Sequence, residues 1–73
     1  MSISQVEIEV AGMSCNHCVQ SVKNALEKIA GVKQVEVNLE RGLATVHGEN
    51  LLPEKISMTI EELGFAPGKY QVE

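Results

Sequence analysis

Cys15 and Cys18 are the residues of this chain best equipped for chemistry. Separated by Asn16 and His17, they stand where a loop carrying Gly12 and Ser14 gives way to a segment with a helical apolar stripe. Sulfurs at that spacing can converge on one small ion. The first turn of a helix adds free backbone amides and the positive end of its dipole, both of which favour thiolate over thiol. A free cysteine near pKa 8.5 can fall to roughly 3.5–7.5 in such a setting. Two soft sulfurs select copper(I) or another thiophilic ion, whereas hard cations need oxygen donors and structural zinc about four ligands in a tetrahedron. Four are hard to assemble here: His17 lies between the cysteines, His47 sits far along the chain, and no acidic residue adjoins the pair. A two-coordinate copper(I) site, open on one side to an incoming ligand, fits this inventory.

Other readings of the same residues exist. Two cysteines near an apolar helix can be small core side chains, although Cys15 lies in a loop with Gly12, Ser14 and Asn16. A thioredoxin-like redox pair is the enzymatic rival; that motif belongs to a longer fold with a substrate groove, and this chain is short and has no Trp. Met13 can ligate a soft metal through its thioether, but two positions before Cys15 it is better placed as a flexible plug that anchors the loop. His17 reads as an exposed helix-start residue able to enter a dimeric or metal-rich form. Phe65 is expected to pack beside the site and shield it, or to be an ordinary core aromatic after Gly64.

These residues need a scaffold, and 73 residues allow one domain (1–73) with a single small core. Apolar residues make up 44% and charged residues 22%, the composition of a folded globule. The formal charge of -4 comes without a basic block, which disfavours nucleic acid and anionic membrane as partners and favours a partner with a positive docking face. No basic segment followed by an apolar run opens the chain, and no stretch approaches the roughly 20 apolar residues of a membrane span. A cytoplasmic protein without membrane insertion is the expectation.

Val6, Ile8 and Val10 alternate with polar neighbours and predict a strand over about 3–10. Val19, Val22, Leu26 and Ile29 then recur at helical spacing, with Gly31 placed to end the helix. Alternation resumes over 32–39 and around Ala44 and Val46, giving two strands joined through Glu40-Arg41-Gly42 as a hairpin. Pro53 suits the first turn of a second helix whose apolar line is Leu52, Ile56, Ile60 and Leu63, with Asn50 as a substitute cap and Gly64 as terminator. A last strand carries Tyr70 and Val72 beyond Pro67-Gly68. Strand, helix, strand, strand, helix, strand makes an α+β ferredoxin-like sandwich, an antiparallel four-stranded sheet with two helices on one face. The other sheet face, with Gln5, Glu7, Glu9, Gln34, Glu36, Asn38, Thr45 and His47, is expected to be wholly polar.

Within this pattern, Gly12-Met13-Ser14-Cys15-Asn16-His17-Cys18 resembles the metal loop of the heavy-metal-associated domain family, and within it that of bacterial cytosolic copper chaperones. The similarity continues through Gly31-Val32 and Leu63-Gly64-Phe65. The resemblance implies a carrier, not an enzyme, that binds one Cu(I) through Cys15 and Cys18 with Met13, Ser14, His17 and Phe65 in support. It implies delivery by ligand exchange to the metal-binding domain of a copper-transporting P-type ATPase, and admits a copper-responsive repressor and a metal-bridged homodimer as further partners. The family also uses such domains as N-terminal modules of those ATPases, so an excised module is the alternative. Bacterial chaperones often carry Tyr where this chain has Phe65, and Phe is familiar in the ATPase modules. Zinc and cadmium relatives often carry an acid where this chain has Ser14, and mercury carriers are usually exported. Met1 at the start and Glu73 just after the last strand point to a free-standing chaperone.

Overall fold

Apolar and polar residues alternate along three of the four strands, and the side that is apolar becomes the core. In the computed structural model, which describes residues 3–73, the elements are β1 (Gln5–Ala11), α1 (Asn16–Glu27), β2 (Val32–Asn38), β3 (Leu43–Gly48), α2 (Pro53–Glu62) and β4 (Ala66–Val72). The expectation drawn from Met1 lies outside the described residues. The strands form one antiparallel sheet in the order β2-β3-β1-β4. Val6, Ile8 and Val10 of β1, Val35 of β2, and Ala44 and Val46 of β3 are buried with Val22 and Leu26 of α1 and Ile56 and Ile60 of α2 in one cluster. This is the expected α+β ferredoxin-like sandwich with both helices on one sheet face.

On the opposite face, Gln5, His47 and Gln34 stand in register, as do Glu7, Thr45 and Glu36. Leu43 interrupts the expected polar row, lying between Glu9 and Asn38, so that face is not wholly polar. Strand ends also shift. Ile3 packs on the core ahead of β1, while Ser4 and Gln5 both donate their amides to the Glu73 carbonyl. β2 stops at Asn38, whose side-chain oxygen accepts the Arg41 amide and turns the chain one residue earlier than expected.

Both helices differ from expectation at their ends. α1 stops at Glu27, before Ile29 and Gly31, and the chain continues through tight turns in which Lys28 and Ile29 donate to Ala25 and Leu26. Gly31 is needed for a different reason: its φ is +88°, and a Cβ there would come within 2.4 Å of the Glu49 carbonyl. At α2, Pro53 takes the first turn as expected, but no side chain caps the helix, Asn50 included. Asn50 instead adopts φ +54°, and the Leu51 amide donates to the Ile3 carbonyl. That turn drives Leu51 into the core at 2% exposure and leaves Leu52 outside at 62%. Leu63, assigned to the same apolar line, is exposed as well. Tyr70 and Val72 stand opposite Ile8 and Val6 on β4, yet both are exposed because β4 is an edge strand that α2 covers incompletely.

Candidate metal centre

The sheet register brings three connections to one end of the molecule. Ala11 at the end of β1 pairs with Ala66 at the start of β4, so the loop 12–15 and Phe65 are neighbours. The Val10 amide donates to the Gly42 carbonyl, which places the β2–β3 turn at that end too. Gly12 begins the loop with φ +101°, a conformation side chains rarely adopt, and a Cβ on it would lie 3.3 Å from the Phe65 ring. The ring thus lies closer to Gly12 than most side-chain-bearing residues would allow without a small shift.

Phe65 owes its position to the end of α2. Gly64, at φ +94°, sends its amide to the Glu61 carbonyl, and Phe65 sends its own to Ile60. This is a Schellman motif, in which the residue after the glycine folds back against the last helical turn. Met13 and Phe65 both pack, partly buried, against the hydrophobic cluster. Met13 thus anchors the loop on the core and Phe65 lies against its first residue, Gly12.

Cys15 is the N-cap of α1, with extended backbone angles and no side-chain cap of its own. Its carbonyl accepts the amides of Cys18 and Val19, which locks the first turn. Cys15 is exposed, Cys18 is partly buried, and both are free thiols with sulfurs 3.6 Å apart. That separation is far beyond the roughly 2.05 Å of a disulfide and leaves the pair able to share a proton or an ion. Hydrogen bonding from the Ser14 backbone, then from the Cys15 thiol, holds the Cys18 thiol below its ordinary value, with partial burial opposing. Thiolate character is what a soft metal requires.

His17 is exposed on the first turn, and His47 lies on β3, paired between Gln5 and Gln34. Among the described residues, no group of three or more His, Cys, Asp or Glu side chains is placed to hold a metal. The two sulfurs are thus the donors that the fold brings together, with Ser14 beside them and His17 turned to solvent. Leu51, which seats the second helix beneath this scaffold, was missed in sequence, although the Gly-Glu-Asn stretch before it signals a turn able to reset the apolar phase.

The heavy-metal-associated domain model matches residues 7–66. A copper chaperone CopZ of Enterococcus hirae is 43% identical over 61 residues, spanning 81% of this chain and 88% of that protein. Copper-transporting ATPase 1 of Rattus norvegicus is 40% identical over 63 residues, 84% of this chain but only 4% of the ATPase. A solved CopZ metallochaperone superposes with a TM-score of 0.85 at 36% identity, covering 89% of this chain and all of that one. Among the described residues, no helix is long and apolar enough to cross a membrane. With two sulfurs at the head of α1 and relatives among both free chaperones and ATPase modules, the chain belongs to the heavy-metal-associated domain family.

Proposed function

We propose that this protein is a cytoplasmic copper(I) chaperone that holds one ion between Cys15 and Cys18 and hands it by ligand exchange to the metal-binding domain of a copper-transporting P-type ATPase. The observation that carries the reading is the pair of free sulfurs 3.6 Å apart at an exposed helix start. Relatedness to copper chaperones and to a copper ATPase supports the choice of ion and partner. Taking a metal–thiolate distance of about 2.3 Å, sulfurs at this separation subtend an angle of about 100° at the ion. A linear ion would need the sulfurs about 1 Å further apart. Cys15 is exposed and Cys18 partly buried, so Cys15 is the sulfur freer to rotate and open the pair.

Two-sulfur coordination leaves copper(I) unsaturated, so a partner thiolate can enter before either native sulfur leaves, and exposure of Cys15 provides its access. Met13 and Phe65 act by holding the loop, and His17 stands ready only for metal-rich or dimeric forms. An excised ATPase module remains the second reading, favoured by the rat ATPase match and by Phe65.

Copper(I) titration against a competing chelator is expected to give one ion per chain, and X-ray absorption of the monomer two sulfur neighbours. Three or more nitrogen or sulfur neighbours in the monomer would refute the digonal site. Stopped-flow transfer to an isolated ATPase domain is expected to accelerate with acceptor concentration and to ignore a copper scavenger beyond its own competition. A rate independent of acceptor would mean release of free ion.

A further inference from the structure

β4 carries one residue more than the stretch of β1 it pairs with. Ile8 stands opposite Tyr70 and Val10 opposite Pro67, so Glu9 alone faces both Gly68 and Lys69. A bulge of this kind interrupts the ladder and re-aims the residues beyond it, and bulges are common next to functional sites. The Glu9 side chain enters this one: the Lys69 amide donates to its Oε1 at 3.4 Å. Gly68 leaves the room, since a Cβ on it would lie 2.8 Å from that oxygen and 3.0 Å from the Glu9 Cβ. The carboxylate stem and the absent side chain interlock at one point of the edge strand.

The extra residue decides which way Phe65 points. Side chains alternate across a strand, so a shift of one residue exchanges the two faces. Val72 and Tyr70 stand opposite Val6 and Ile8, on the core side. Continued without the bulge, that register would pair Ala11 with Pro67 and turn Phe65 to the open face of the sheet. With the bulge, Ala11 pairs with Ala66, and the next step sets Phe65 against Gly12. The ring accordingly packs on the core cluster and lies 3.3 Å from where a Gly12 Cβ would stand.

We infer, on the reading of the chain as a copper(I) carrier, that Glu9 is a positioning residue of the metal loop. By holding the Gly68–Lys69 bulge it keeps Phe65 seated on Gly12, and so slows loss of the ion from Cys15 and Cys18. Glu9 stands opposite Leu43 on the open face of the sheet, so its effect on the ion passes through β4 and the ring. An amide bonded to a carboxylate shifts the population it holds by about two- to tenfold. Glu7 lies on the same face of β1 but pairs with Gln71 in the regular part of the ladder, and it serves as the control for charge alone.

In the metal-free protein, Glu9→Ala should weaken the nuclear Overhauser contacts between the Phe65 ring and Gly12 and speed exchange of the Lys69 amide about two- to tenfold. Glu9→Gln keeps an acceptor oxygen and should stay within about twofold of the parent. Gly68→Ala, which pushes the carboxylate aside, should reproduce Glu9→Ala. In the copper-loaded protein, capture of the ion by excess bicinchoninate should quicken about two- to tenfold in Glu9→Ala, with the two-sulfur X-ray absorption spectrum unchanged, and keep the parent rate in Glu7→Ala. In a Phe65→Ala background, Glu9→Ala should add nothing, because the ring through which it acts is gone. An unmoved ring in Glu9→Ala, an equal loss in Glu9→Gln, or the same quickening with and without Phe65 would overturn the proposal. A parent that takes up no copper would refute the carrier reading instead, and the metal-free measurements would still decide for or against Glu9.

Discussion

Gly12→Ala is the substitution that most directly tests how the scaffold holds the metal loop. Its methyl group meets two costs. Gly12 sits at φ +101°, where a residue with a side chain costs about 1–3 kcal/mol. The new Cβ also lies 3.3 Å from the Phe65 ring, tighter than ordinary contact, and moving the ring off its rotamer adds about 0.5–1.5 kcal/mol. Together these amount to about 1.5–4.5 kcal/mol, or a fall in Tm of roughly 6–36 °C for a domain of this size. Urea denaturation of the apo protein measures the loss. Phe65→Ala separates the parts: in that background Gly12→Ala should lose only the backbone share, giving a coupling of about 0.5–1.5 kcal/mol between the two positions. A loss below about 0.5 kcal/mol in the parent would show that the loop tolerates a side chain at Gly12. An equal loss in both backgrounds would show that the ring does not depend on the missing Cβ.

Leu51→Ala should cost about 2–5 kcal/mol in urea, because Leu51 fills the core, while Leu52→Ala should stay within about 0.5 kcal/mol; the reverse order would invert the assignment of the two leucines. Met13 is only partly buried, so Met13→Ala should cost less than full burial would, about 1–2 kcal/mol, with the two-sulfur copper spectrum unchanged. A weakened copper affinity at unchanged apo stability would make Met13 a ligand instead. Ultraviolet thiolate absorbance should show Cys18 ionising below the ordinary thiol range, and Cys15→Ala should move it back upward by removing one of its two main hydrogen bonds. Since folding lowers this value, the ionisation adds stability to the apo fold above the unfolded thiol pKa. That contribution is lost as pH falls through the folded value, so acid should erase any gain measured at alkaline pH.

The strands and helices were legible where apolar spacing is regular. β1 buries the three alternating residues it was expected to bury, and α1 places Val22 and Leu26 in the core. Errors cluster at ends, where hydrogen bonds from distant segments override periodicity. The Ile3 carbonyl, remote in sequence, captures Leu51 and moves the start of the second apolar line by one residue. Tyr70 and Val72 have the alternation of a buried strand, but sheet order puts them at an edge, and sequence spacing carries no information about which strand ends up outermost.

For the candidate site the division is similar. That a soft-metal chemistry was available followed from two cysteines three positions apart at a helix start, because residue type and local helical geometry suffice to bring both sulfurs to one turn. The family, too, was readable from Gly12 through Cys18. Only the tertiary structure decided that the sulfurs stand 3.6 Å apart with Cys15 outside and Cys18 partly covered. It also decided that Phe65, fifty residues from the loop in sequence, lies against Gly12. Such pairings depend on the β1–β4 register and on the Schellman turn after α2, which are set by the packing of the whole sheet on both helices rather than by any one segment.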